Sequence, residues 1–176
     1  MAQSNWNVIT GGPSSGKTTL INELAKIGYA TFPEAARTLI DRGLAEGREL
    51  EDIQNGFEFQ KNVLRLQIEM ERSAPRGKTV FFEGAVPDGI AYCKLRGLDI
   101  KEYEKYNKNG RYRKIFFCEP LPFVKDHARI EDSRTALRLA KMRRKSYEDL
   151  GYGIIDLPAT PFVADRIRIV LNELKK

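Results

Sequence analysis

The sequence is 176 residues long, 41% hydrophobic and 31% charged, with a formal net charge of +6. This size and apolar share predict one globular domain, residues 1–176, and no apolar run approaches the ~20 residues needed to span a bilayer. A lone histidine, His127, and two distant cysteines, Cys93 and Cys118, exclude a His/Cys metal site and predict reduced thiols in a cytoplasmic protein. Met1–Trp6 has neither the basic nor the apolar region of a signal peptide.

Val8-Ile9-Thr10 predicts a short buried strand and Thr19–Lys26 an amphipathic helix. Between them Gly11-Gly12-Pro13-Ser14-Ser15-Gly16-Lys17-Thr18-Thr19 fits G-x-x-x-x-G-K-[ST] in the strand–loop–helix context that gives the motif meaning. Glycines let the backbone wrap a phosphate with its N–H groups turned inward, and the helix start adds the positive end of its dipole. Gly11 to Thr19 are therefore the candidate nucleotide-binding residues. Lys17 is placed to reach the β- and γ-phosphates and Thr18 to ligate Mg²⁺.

A second strand is predicted over Gly28–Phe32, with Pro33 at the first position of a helix running through Asp41. Glu34, at the carboxyl edge of that strand, is a candidate base toward a substrate hydroxyl, with Arg37 one turn on to hold phosphate or substrate. Simple complementation of the helix dipole explains Glu34 as well. Residues 43–56 read as a loop with a helical turn. From Phe57 to Ser73 the spacing of Phe59, Val63, Leu66 and Met70 predicts a helix whose stripe is core.

Thr79–Phe82 is an uninterrupted apolar run, the pattern of a third strand buried on both faces, and Glu83 follows as candidate Mg²⁺ ligand. Pro87 and Asp88 open the next helix, with Asp88 read as a first-turn acid. Residues 99–114 mix tyrosines with basic residues and read as a solvated helix ending at Asn109-Gly110. Ile115–Cys118 is the fourth strand. Residues 101–145 hold 14 basic and 6 acidic residues, a net +8 that suits a polyanion. Within it a helix from about Ser133 to Leu150 gathers Arg134, Arg138, Lys141 and Lys145 on one side and Ala136, Leu139, Ala140, Tyr147 and Leu150 on the other. Arg129 and Arg134, at the loop–helix junction, are candidates to neutralise charge developing on a γ-phosphate. Gly153–Leu157 is the fifth strand, the 158–161 loop is a candidate base contact, and Phe162–Leu174 is the last helix.

Strands alternating with helices predict a three-layer α/β sandwich around a five-stranded parallel sheet. Val8–Thr19, Glu34–Arg37, Phe81–Asp88 and Tyr147–Pro158 together resemble the AAA-type ATPase/kinase-like P-loop family, akin to the ribosylnicotinamide kinase domain and more distantly to deoxynucleoside kinases. The resemblance implies strand order 2-3-1-4-5, ATP (or GTP) with Mg²⁺, and a lid near 125–135 that includes Asp126, Arg129 and Glu131. It also implies Glu34 as base. Family members carry Asp-Arg after the third strand, where this chain has Glu83-Gly84. Glu83 is one methylene longer and still suits Mg²⁺, whereas Gly84 supplies no guanidinium, leaving Arg37, Arg129 or Arg134 to do so. The expected activity is a kinase moving γ-phosphate to a hydroxyl of a nucleoside-like or other small molecule. The alternatives are a nucleotide-dependent module binding an anionic partner, such as a phosphoinositide or nucleic acid, and a simple NTPase.

Overall fold

The computed structural model describes residues 5–124, 127 and 131–176. Five strands, β1 (Trp6–Gly11), β2 (Ala30–Phe32), β3 (Val80–Glu83), β4 (Lys114–Cys118) and β5 (Ile154–Leu157), form a parallel sheet in the order β2-β3-β1-β4-β5. In register, Ile9 of β1 lies between Glu83 of β3 and Phe116 of β4, and Gly11 lies beside Cys118. The carboxyl ends of β1, β2 and β3 therefore open on the same edge, where parallel α/β sheets build their sites.

The helices are α1 (Lys17–Lys26), α2 (Ala35–Ala45), α3 (Leu50–Ile53), α4 (Gly56–Ser73), α5 (Val86–Leu95), α6 (Lys101–Glu104), α7 (Ser133–Glu148) and α8 (Val163–Leu174). Because β-strand side chains alternate, Ile9, Phe81 and Phe116 pack against Leu20, Leu24 and Val170 of α1 and α8. Their neighbours Val8 and Ile115 face Tyr147 of α7 on the other side, and Val80 and Phe82 face Met70 of α4. Both faces of the sheet are covered, as the three-layer expectation required. Among the described residues no helix is long and apolar enough to cross a membrane.

Three local expectations change. Pro33 does not open α2; the helix begins at Ala35 and Glu34 is its N-cap, with φ −60° and ψ 121°. That extended backbone is what a capping residue adopts, and the Glu34 side chain, which makes no capping bond to the helix, is left to other partners. The predicted solvated helix over 99–114 is only the four residues of α6, since Tyr103 and Tyr112 are drawn into the core. Tyr103 donates to the Gln60 carbonyl at 2.8 Å and Tyr112 to Glu71 at 2.7 Å, so burial and long-range hydrogen bonds override the local polar pattern. Asp88 is more than a first-turn acid: 5% exposed, it accepts from the Ala85 N–H, the Thr10 hydroxyl and the Tyr147 hydroxyl.

Candidate active site

The glycine-rich loop leaves β1 and enters α1 through Gly16 at the N-cap. Gly12 sits so close to α7 that a Cβ there would come within 2.8 Å of the Ala140 Cβ, so α7 forms the floor of the loop. Lys17, the first residue of α1, is 6% exposed and donates from Nζ to the Gly12 carbonyl at 2.8 Å. The Ser15 hydroxyl donates to the same carbonyl at 2.8 Å. At the loop's tip the Ser14 hydroxyl donates to the Val124 carbonyl at 2.8 Å and accepts from the Val124 N–H at 3.0 Å. Thr18 donates to Glu83 Oε1 at 2.6 Å.

A cavity of about 620 Å³ opens from this loop toward α4 and α5. Pro13 to Thr19, Glu34, Arg37 and Glu83 line it, while Gly11 and Gly12 lie buried beneath. Away from the loop its wall becomes Ile40, Phe59, Val63 and Leu64, interrupted by Gln60, Gln67, Tyr92 and Tyr103. Part of the α4 stripe expected to be core thus faces the cavity as well, with Phe59 and Leu64 buried from solvent while lining it. Tyr92 donates to Glu131 at 3.1 Å across the chamber.

Not every sequence candidate meets here. Arg134 is exposed and stands outside the cavity lining, as do Arg138, Lys141 and Lys145. Arg129 and Asp126 lie outside the described residues. The guanidinium that does meet Glu34 belongs to Arg143, which sequence reasoning missed. Arg143 falls on the apolar side of α7, in step with Ala136, Ala140 and Tyr147, and a charge at a core position of that stripe was the available signal. It donates to the Gly11 carbonyl at 2.9 Å and to Glu34 Oε1 at 3.3 Å, and faces Asp88 Oδ1 at 3.6 Å. A second buried arginine, Arg166 of α8, donates to the carbonyls of Ser15, Glu119 and Pro158, which fastens the 158–161 loop to the base of the phosphate loop.

The two carboxylates are driven apart electrostatically. Burial pushes the Glu34 carboxyl up, but Arg143, Lys17 and Arg37 outweigh burial and hold it below the ordinary carboxylate range. Burial and the Glu34 charge push Glu83 above that range, and Lys17 and the Thr18 hydroxyl offset them only in part. Burial lowers Lys17, opposed by the attraction of Glu34. Glu34 is thus the ionised partner of the pair, available to accept a proton, and Glu83 is the one whose charge needs a cation. Thr18 and Glu83 supply two hard oxygens, the donor type Mg²⁺ takes. Among the described residues no group of three or more His, Cys, Asp or Glu could hold a metal.

Solved structures with the same fold include a deoxyadenosine kinase from M. mycoides with bound dATP, at 16% identity and TM-score 0.67, covering 97% of this chain and 99% of that one. The NadR protein in complex with NAD and AMP-PNP matches at 18% identity and TM-score 0.70 over 98% of this chain and 49% of its own. A thymidylate kinase from Ehrlichia chaffeensis matches at 13% identity and TM-score 0.65, over 97% and 98%. No curated protein matches the sequence. The model of the AAA domain family matches residues 6–166, from the first residue of β1 into α8, and with the phosphate loop and the 2-3-1-4-5 sheet inside that span the chain belongs to the AAA domain family.

Proposed function

We propose that the protein is a phosphotransferase that moves the γ-phosphate of ATP (or GTP) to a hydroxyl of a nucleoside-like small molecule. The observation that carries this reading is one continuous cavity: Lys17, Thr18, Glu83 and Glu34 stand at its phosphate end, and Phe59, Gln60, Leu64, Gln67 and Tyr92 form a chamber beyond. A simple NTPase, whose acceptor is water, has no use for such a chamber. The fold shared with the deoxyadenosine kinase supports the same reading.

In this reading the loop N–H groups and the start of α1 hold the β- and γ-phosphates, and Lys17 adds a positive charge to them. Thr18 and Glu83 would hold Mg²⁺, which when bound offsets phosphate charge. Glu34 accepts a hydrogen bond from the acceptor hydroxyl and aims its oxygen at the γ-phosphorus. As the new P–O bond forms and the bond to the β-phosphate oxygen breaks, the hydroxyl proton passes to Glu34 and the nucleoside diphosphate leaves. Arg37 lines the same end and adds charge for the transferring group. Glu131, at the edge of the segment expected to form a lid, lines the cavity and accepts a hydrogen bond from Tyr92. The other reading, an anionic partner on the basic ridge, draws less support: the ridge stands outside the cavity, and Lys145 is already paired with Asp149.

The test is transfer of labelled γ-phosphate to a panel of nucleosides and related alcohols in the presence of Mg²⁺. Wild type labels at least one acceptor. Glu34→Gln keeps its nucleotide affinity and loses about 10²- to 10⁴-fold in transfer, the range for a positioned base. Undiminished transfer by Glu34→Gln removes Glu34 from the role, and phosphate release without any labelled acceptor makes the protein an NTPase.

A further inference from the structure

Gly84 follows Glu83 with φ +71°, in the left-handed region where a residue with a Cβ is strained by roughly 1–2 kcal/mol. Its N–H is committed to the Ile9 carbonyl at 2.9 Å, so the chain cannot easily relax there. The backbone after β3 therefore disfavours an arginine at this position. A Cβ on Gly84 would stand 3.7 Å from the Asp88 carboxyl, and it is this same Asp88 that Arg143 reaches from the opposite side.

We propose that Arg143 is a positioning residue for phosphoryl transfer, a guanidinium delivered from α7 that aims the Glu34 carboxylate and locks it to the start of the phosphate loop. The proposal rests on the phosphotransferase reading. Its geometry is that of a clamp with two hydrogen bonds and one ionic contact: Nη2 donates to Glu34, Nη1 donates to the Gly11 carbonyl, and Nε, which makes no hydrogen bond, stands 3.6 Å from Asp88 Oδ1. Asp88 is itself fixed by Ala85, Thr10 and Tyr147, so a swing of the guanidinium breaks its contacts to Gly11 of β1, to Glu34 at the start of α2 and to a held Asp88 of α5. Lys17 of α1, Arg37 of α2 and Glu83 of β3 also act on Glu34 through their charges, while Arg143 hydrogen-bonds its carboxylate directly. A planar fork that is 7% exposed and held on several sides sets direction as well as charge, which an ammonium cannot do. Glu34 is an N-cap whose side chain makes no capping bond to its own helix, so its carboxylate takes its aim from Arg143.

Steady-state transfer by Arg143→Met and Arg143→Lys decides this. Arg143→Met lowers kcat by about 100-fold, on the scale of a misaligned catalytic group, while acceptor KM and nucleotide affinity stay within about threefold. Arg143→Lys recovers part of the loss, and adding Arg143→Met to Glu34→Gln costs little more, because the guanidinium acts through the carboxylate already lost. An unchanged kcat in folded Arg143→Met, or losses that multiply in the double variant, overturns the proposal. If Arg143→Met does not fold, Arg143→Lys keeps a charge beside Asp88 and carries the test: a lower kcat at unchanged KM supports the clamp, and a wild-type kcat overturns it. Should wild type label no acceptor, the phosphotransferase reading falls and the clamp is judged in crystals. A Glu34 carboxylate turned away in Arg143→Met, or in Arg143→Lys where the methionine variant does not fold, supports it, and one unmoved overturns it.

Discussion

Glu83 is 3% exposed at the end of β3, with the Glu34 carboxylate as an unfavourable neighbour and the Thr18 hydroxyl as its donor. A carboxyl raised above its ordinary value binds a proton more readily in the folded chain than in the unfolded one, so its charged form works against folding. The penalty is absent below the unfolded value near 4.5, grows as pH rises above it, and is complete only above the raised folded value. Glu83→Gln should therefore melt higher than wild type at pH 7 without nucleotide or Mg²⁺, by about 2–4 °C for each kcal/mol relieved. The gain should vanish below about pH 4.5, the ordinary value. The same substitution weakens Mg²⁺-dependent nucleotide binding, because the charge that burdens the empty fold is the one a cation would use. Melts across pH, with and without Mg²⁺ and nucleotide, read both effects.

At the scale of elements, the phosphate loop depends on how closely α7 lies beneath it. Ala136 and Ala140 are small where Gly12 approaches, and a Cβ on Gly12 would press on the Ala140 Cβ at 2.8 Å and the Ala136 carbonyl at 3.2 Å. Gly12→Ala should destabilise the fold by about 1–3 kcal/mol, the usual cost of overpacking. Ala140→Gly in the same chain should return much of the loss by clearing the nearer contact, while Ala136→Gly should not, since the contact there is with a backbone carbonyl. Denaturant midpoints of the single and double variants check this. The α6 region depends on its surroundings in a similar way. Glu71 accepts from Tyr112, Arg111 and Gln67, and that buried centre holds the 105–113 segment against α4, where its own sequence would leave it solvated.

For the molecule as a whole, Arg166 is the strut between the two ends of the domain's site. It belongs to α8, the last helix, yet its guanidinium is spread over carbonyls of the phosphate loop, of the β4 exit and of the β5 exit. Each such bond to a charged group contributes roughly 1.5–3 kcal/mol, and removing the donor leaves the carbonyl of buried Ser15 without it. Arg166→Ala should cost about 3 kcal/mol or more in stability. It should also weaken nucleotide affinity although Arg166 is not itself among the residues lining the cavity. Equilibrium unfolding and calorimetric titration with ATP measure the two losses, and an affinity equal to wild type would show that the loop keeps its shape without the strut.

Much of this chain could be read from local pattern. Gly11–Thr19 announces its own chemistry because a loop that wraps phosphate needs glycines and a lysine at fixed spacing. Thr79–Phe82 announces a central strand because burial on both faces demands an unbroken apolar run. Those features bound the fold, the sheet order through resemblance, and the phosphate end of the cavity. Arg143, Asp88 and Arg166 could not be read in the same way. Each is a charged residue at a core position, and its worth comes from partners far along the chain: Arg143 from Gly11 and Glu34, Asp88 from Thr10 and Tyr147, Arg166 from Ser15. Local periodicity records which side of a helix is buried, but not what a buried charge meets there. Arg134 shows the converse, since a good position beside a loop put it in solvent. The sequence by itself determined that this protein folds around a phosphate-binding loop; only the tertiary structure decided which guanidinium faces Glu34, because that pairing joins the start of α2, the end of β1 and α7 and exists only when the sheet has brought them together.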